Sequence, residues 1–159
     1  MEKELMLAEE KREIEILEFL AGGKSYGVDI NDIREILPYE GKPRRIPNSH
    51  PYIEGIVMPR DFVITVIDLL ASLKLEDVAE DKLEMLIVTS IKNMNIGFHV
   101  DYVEGIFRTS TANITKPGRK LSTSVKGVVT GLLTINGKRI EILELRNIIK
   151  EVNPDIDLS

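Results

Sequence analysis

Apolar and polar residues alternate in short runs along most of the chain from residue 14 onward. The runs at residues 14–20 and 26–30 lie on either side of Gly22-Gly23, and this arrangement predicts a β-hairpin. A second hairpin is predicted over residues 128–145, because Asn136-Gly137 is a dipeptide that tight hairpin turns favour. Single strands are predicted at residues 62–69, 86–90 and 96–100. The pattern therefore predicts a mainly β protein.

Helical patterns are short and lie mostly at the two ends of the chain. Residues 1–13 are rich in Glu, Lys, Leu and Met, which predicts an N-terminal helical tail. A terminal helix is predicted at about 144–151, followed by a tail or linker at 153–159. Prolines cannot donate to a β-ladder, so five of them close together predict a loop that feeds edge strands: Pro38, Pro43, Pro47, Pro51 and Pro59.

The sequence contains an internal repeat. Residues 27–36 return as residues 97–106, which pairs Ile30 with Val100, Ile33 with Val103 and Ile36 with Ile106. Residues 53–68 return as residues 129–144 and pair Gly55 with Gly131. Chance similarity between alternating patterns is the alternative, but two ordered matches favour one supersecondary unit used twice.

The repeat also predicts the domain organisation. The first unit is expected at about 14–75 and the second at about 83–145, joined by an acidic surface connection at about 76–82. Each unit is too short to bury much core alone, so the two are expected to pack side by side. A groove between them would be lined by equivalent residues of both copies.

Composition narrows the functional classes. The net charge of −5 disfavours a general nucleic-acid binder, since such proteins neutralise phosphates with Lys and Arg. The absence of cysteine excludes disulfides, thiolate metal sites and cysteine nucleophiles. No run of eighteen apolar residues and no secretory pattern is present, so we expect a soluble, cytoplasmic protein.

Candidate catalytic chemistry is sparse. His50 and His99 are the only histidines and lie in different halves, so neither is expected to bind a metal or act in catalysis. His50 is expected in a loop, and His99 on a strand, facing either solvent or a satisfied core position. Basic clusters at 42–45 and 116–120 suit acidic partner surfaces, and a small nucleic-acid-binding β-barrel is the alternative function. We expect no enzyme activity and no cofactor.

Several ordered motifs resemble the chemotaxis coupling family CheW. They are residues 26–36, residues 46–56, Arg60 with residues 64–69, and the second-half run 97–106, so that the likeness covers roughly residues 14–152. Most CheW proteins have Asn-Leu-Arg-Gly where this chain has Met58-Pro-Arg-Asp, which is similar to the CheW-like domain of some CheV proteins. In those proteins a phosphoacceptor receiver follows, and residues 152–158 resemble the linker before it; whether one follows here stays open.

The resemblance implies two five-stranded, SH3-like barrels in a non-catalytic adaptor. It implies binding to the cytoplasmic tip of chemoreceptors and to the regulatory domain of the histidine kinase CheA, with the membrane reached only through receptors. Five aliphatic residues then fall in a receptor-facing groove and two polar residues lie beside them: Ile30, Ile33, Ile36, Val100 and Val103, with Glu35 and Arg60. Barrel core is the alternative for the aliphatic residues, and a solvated ion pair is the alternative for Arg60.

Overall fold

The computed structural model describes residues 11–78, 82–117 and 127–155. Ten strands and two short α-helices form within these residues, which confirms the mainly β class. The first half contains β1 (Glu13–Ala21), β2 (Lys24–Asp29), β3 (Ile33–Pro38), β4 (Ile53–Val57), β5 (Ile64–Asp68) and α1 (Leu69–Ser72). The second half contains β6 (Met85–Ile91), β7 (Met94–Val100), β8 (Tyr102–Ser110), β9 (Val129–Ile135), β10 (Lys138–Leu143) and α2 (Leu145–Val152).

The strands form two five-stranded sheets. The strand order is β8-β1-β2-β10-β9 in the first sheet and β3-β6-β7-β5-β4 in the second sheet. All the ladders are antiparallel except β2 with β10 and β5 with β7, which are parallel. Exchanging β1–β5 with β6–β10 turns one order into the other, so the topology reproduces the repeat that the sequence predicts.

The strands of the two repeats are exchanged between the sheets. β3, β4 and β5 pair into the sheet that contains β6 and β7, while β8, β9 and β10 join β1 and β2. The predicted division into one barrel at about 14–75 and another at about 83–145 is therefore wrong. A 3-10 turn at Ile30–Asp32 carries the chain from β2 in the first sheet to β3 in the second, and β7 and β8 mark the return crossing.

Neither sheet is closed into a barrel by a backbone ladder in the described residues, so closed SH3-like barrels are not confirmed. One isolated bridge approaches closure in each sheet. In the second sheet the amides and carbonyls of Arg44 and Ile56 exchange two hydrogen bonds of 2.8 Å. Thr115 and Leu132 make the equivalent bridge in the first sheet, with hydrogen bonds of 2.9 and 2.8 Å. The chain that follows each edge strand thus reaches the opposite edge of its own sheet.

Apolar residues are buried in three clusters. The largest, which we call the central cluster, lies where the two sheets meet and includes Phe19, Tyr26, Ile87 and Phe98. Each sheet also encloses a smaller cluster on its other face: Ile16, Leu133, Ile140 and Ile142 in the first sheet, and Ile64, Val66, Leu86 and Val88 in the second. Both faces of the inner strands therefore contribute to buried clusters, and β6 shows this most clearly because Leu86, Ile87 and Val88 are consecutive buried residues.

The turns and helices were predicted with mixed success. The turns at Gly22-Gly23 and Asn136-Gly137 are confirmed, and all four residues have positive φ. The terminal helix is confirmed with bounds one residue later than predicted. A third hairpin turns at Lys92-Asn93 and was not predicted. Residues 1–10 of the predicted N-terminal helix and 156–159 of the tail lie outside the described residues, and β1 begins at Glu13.

Candidate partner-binding surface

Four of the predicted groove residues lie on the segments at which the chain crosses between the sheets. Ile30 lies in the 3-10 turn after β2, Ile33 and Ile36 lie on β3, and Val103 lies on β8. All four side chains are partly buried against the central cluster. Each of the four therefore borders the central cluster where the two sheets meet and keeps part of its side chain in contact with solvent, and we call these four side chains the margin.

Val100 does not belong to this margin. It ends β7 and is 0% exposed, so the prediction that it faces a partner is wrong. β7 is the middle strand of the second sheet, and Ile96, Phe98 and Val100 all point into the central cluster. Ile106 was not predicted as a groove residue, although it is 56% exposed on β8. Its pairing with Ile36 in the internal repeat was the sequence signal for including it.

Glu35 and Arg60 form an ion pair next to Ile36. The guanidinium Nη2 of Arg60 lies 3.4 Å from Oε1 of Glu35, with side-chain exposures of 69% and 25%. Such an exposed pair stabilises a fold by about 0–1 kcal/mol. Because the Arg60 side chain is mostly exposed, its guanidinium remains accessible to a second carboxylate. The neighbouring Arg34 is held differently, since it donates to Oδ1 of Asn95 at 2.7 Å and lies 4.9 Å above the ring of Phe62.

Among the clefts on the surface of the described residues, three lie near the strands and turns described above. A cleft of about 330 Å³ lies beside Ile30 and is also lined by Glu13, Asn31 and Arg108. A second, of about 310 Å³, lies at the open side of the second sheet between Leu37, Tyr39, Val57 and Met58. The third, of about 470 Å³, separates β5 and β7 from the end of α2 and is lined by Val63, Ile67, Met94, Ile149 and Val152.

The two histidines have different surroundings. His50 Nδ1 accepts a hydrogen bond of 3.1 Å from the backbone amide of Tyr52, and its ring packs edge-on against the tyrosine ring. His99 lies on the face of the second sheet that is turned away from the central cluster. Its ring lies between two carboxylates, with Nδ1 2.6 Å from Oε2 of Glu54 and Nε2 3.1 Å from Oε1 of Glu84. His50 therefore shapes a turn, whereas His99 occupies a satisfied, partly buried position.

His99 belongs to a group that we call the His99 cluster, made of Tyr39, Glu54, Glu84 and His99. The rings of Tyr39 and His99 stack 3.7 Å apart, and the Tyr39 hydroxyl donates to Oε1 of Glu54 at 2.8 Å. Burial alone would lower the pKa of His99, but the hydrogen bonds and negative charges of Glu54 and Glu84 outweigh it and raise that pKa. Burial also opposes ionisation of Glu54, yet the hydrogen bonds from His99 and Tyr39 keep its pKa below the ordinary value.

Sequence reasoning missed this cluster, although one signal for His99 was present. On β7 the apolar residues Ile96, Phe98 and Val100 alternate with Asn95, Gly97 and His99, which sets the histidine on the opposite face of the strand. Its partners were not identifiable, because they lie 60, 45 and 15 positions away along the chain.

Two further properties of the described residues concern metal binding and membrane-spanning helices. No group of three or more His, Cys, Asp or Glu side chains among residues 11–78, 82–117 and 127–155 is arranged to hold a metal ion. None of the helices in the same ranges combines the length and the apolar character needed to cross a membrane.

Comparison with known proteins gives a consistent result. The model of the CheW-like domain matches residues 15–153. The chain is 27% identical over 148 residues to the chemotaxis protein CheW of Thermotoga maritima, covering 92% of this chain and 94% of that protein. It is also 27% identical over 156 residues to the chemotaxis protein CheV3 of Helicobacter pylori, covering 91% of this chain but 50% of that protein.

The fold is shared with a solved structure of the same type. The scaffolding protein TtCheW from Thermoanaerobacter tengcongensis superimposes with a TM-score of 0.80 at 26% sequence identity. The match covers 92% of this chain and 99% of the other. The family match extends from β1 to the end of α2, so it includes both sheets and both crossings. The chain therefore belongs to the CheW-like domain family.

Proposed function

We propose that this chain is a non-catalytic scaffold of bacterial chemotaxis, which couples chemoreceptors to the histidine kinase CheA and acts through binding alone. Membership of the CheW-like family supports this role, as does the likeness to a protein described as a scaffolding protein. Its partners are the cytoplasmic tip of the receptors and the regulatory domain of the kinase. It works in the cytoplasm and is recruited to receptor arrays.

The observation that carries this proposal is the margin between the two sheets. Ile30, Ile33, Ile36 and Val103 present apolar surface there, and the Glu35–Arg60 pair supplies polar contacts beside it. An amphipathic helix binds such a surface by laying its apolar face along the groove and its charged face over the rim. The proposed receptor site therefore consists of these six residues, with Val100 beneath it as part of the core.

The barrel geometry is part of the same proposal. The bridges at Arg44–Ile56 and Thr115–Leu132 curl each five-stranded sheet toward closure, which supports an SH3-like shape with one seam left open. A scaffold of this shape changes kinase output only by favouring one arrangement of receptor and kinase over another.

The substitution Ile33→Asp tests the site. It places a carboxylate where a partner would remove water, so we expect weaker binding to a receptor cytoplasmic fragment and little change in affinity for the kinase regulatory domain. The matched control is Val78→Asp, because Val78 is an exposed aliphatic residue that lies next to the Gly22-Gly23 turn, at the other end of β2 from Ile30. Both affinities are measured by titration calorimetry, with circular dichroism to verify folding.

The outcomes separate the candidate functions. Equal receptor affinity for both variants, or unfolding of Ile33→Asp, contradicts the site assignment. Failure of the unmodified chain to bind either partner contradicts the scaffold proposal itself. A salt-sensitive affinity for a labelled oligonucleotide in a parallel titration would instead support the nucleic-acid-binding alternative.

A further inference from the structure

The two contacts of His99 set the number of protons on its ring. Glu54 and Glu84 approach different ring nitrogens, at 2.6 Å on Nδ1 and 3.1 Å on Nε2. An ionised carboxylate only accepts hydrogen bonds, and a neutral imidazole has a single N–H to donate. Both contacts are hydrogen bonds only when His99 carries two N–H groups, which makes it an imidazolium.

Every element packed around His99 contributes a titratable group. Tyr39 follows β3, Glu54 lies on β4, Asp68 ends β5 directly beside His99, and Glu84 precedes β6. Lys82 is a cation that lies close to Glu84, and it also approaches Asp77 and Asp101. Three carboxylates thus surround one imidazole, so removal of its proton leaves them facing each other with little compensation.

The cluster lies at the seam of the second sheet. The sheet order ends at β3 on one side and β4 on the other, and among the described residues the one isolated backbone bridge across this gap is Arg44–Ile56. The Tyr39 hydroxyl crosses the seam to Glu54, and the ring of Tyr39 stacks on His99, which is itself bonded to Glu54. Side chains therefore connect the two edges where a backbone ladder is missing.

We propose that the His99 imidazolium is a charged clamp that holds the seam of the second sheet together and that loses its hold when His99 is deprotonated. The stabilisation is complete between the ordinary pKa of a carboxylate and that of an imidazole, and it disappears as the pH rises through the higher pKa that His99 has in the folded state. It also disappears at acid pH, as the pH falls through the lowered pKa of Glu54. Tyr39 and Met58 line the cleft at this seam, so its shape follows the protonation of His99.

The protonation state is tested by NMR on protein with ¹³C-labelled histidine rings, titrated from acid to alkaline pH. We expect His99 to keep its proton at pH values where a short histidine peptide has lost it. Glu54→Gln and Glu84→Gln should each lower the midpoint, because each removes one negative acceptor. A His99 midpoint at or below that of the peptide would overturn the proposal.

Amide hydrogen exchange tests the loosening of the seam, and the first sheet provides the control. After correction for intrinsic rates, protection at the amides of Arg44 and Ile56 should fall roughly tenfold or more as His99 deprotonates, since a charged hydrogen bond is lost. The Thr115–Leu132 bridge holds the equivalent place in the first sheet, where Asp29 stands at the repeat position of His99, so its protection should not follow this titration. The His99→Gln variant should lose the pH dependence at Arg44 and Ile56. Persistence of that dependence in the variant, or equal behaviour of both bridges, would refute the clamp.

Discussion

Replacing Gly55 with alanine should destabilise the protein far more than the same change at Gly105. Both glycines lie at β-bulges on edge strands, and their φ angles of 148° and 145° are almost the same. They differ in the space around them. A Cβ atom on Gly55 would lie 2.3 Å from the carbonyl oxygen of Arg44, whereas nothing lies within 4 Å of one on Gly105.

The magnitude follows from two separate costs. Alanine at such a φ costs about 1–3 kcal/mol at either position. At Gly55 the backbone of Arg44 must also move, which breaks the two hydrogen bonds of 2.8 Å that its amide and its carbonyl make with Ile56. At about 1 kcal/mol per bond, the excess of Gly55→Ala over Gly105→Ala is about 2 kcal/mol. For a domain of this size that excess lowers Tm by roughly a further 4–8 °C.

Urea unfolding followed by far-ultraviolet circular dichroism measures both variants against the parent chain. The comparison holds if the m-values agree, since a changed m-value signals a different amount of surface exposed on unfolding. Equal free energies of unfolding for the two variants would show that the Arg44 carbonyl moves without cost. The bridge would then contribute nothing to the closure of the second sheet.

Two other substitutions have defined outcomes. Arg60→Ala should lower affinity for a receptor fragment by about 1–3 kcal/mol while leaving the unfolding midpoint nearly unchanged, and Arg60→Lys should recover only part of the loss. Equal affinities by titration for all three proteins would make Arg60 a local structural residue. Asp68→Asn should stabilise the protein at pH 8, because burial and the charge of Glu54 raise the pKa of Asp68 and make its ionised form unfavourable. The gain should vanish below about pH 4, where Asp68 is protonated in the folded and unfolded states; urea midpoints at both pH values check this.

The local features of the fold were predictable, because they depend on residues close together in sequence. Gly22-Gly23 and Asn136-Gly137 take up the positive φ angles that their hairpins require. Lys92-Asn93 adopts a similar backbone, with φ of 52° and 64°, but lysine is not a turn signal and this hairpin escaped prediction. A hairpin whose turn residues are unusual can therefore be recognised only when the pairing of its strands is known.

The strand exchange could not be predicted, because it depends on pairing between distant segments. Ile30, Ile33 and Ile36 are spaced three residues apart, which fits neither a strand nor a regular helix face. The reason is that Ile30 belongs to a 3-10 turn, whereas Ile33 and Ile36 belong to β3. The same spacing in the second copy spans the end of β7 and the start of β8. For the candidate site, the sequence could not predict the burial of Val100, which depends on the central place of β7 in its sheet.

The exchange of β3–β5 and β8–β10 between the sheets gives the molecule the topology of a strand-swapped homodimer contained in one polypeptide. Two separate chains, each with one repeat, would have to associate before either sheet had five strands. The covalent connection between α1 and β6 makes that association intramolecular, with an effective concentration that free chains do not reach. Cleavage of this connection would leave every ladder intact, so a nicked protein would come apart only on dilution, as a dimer does.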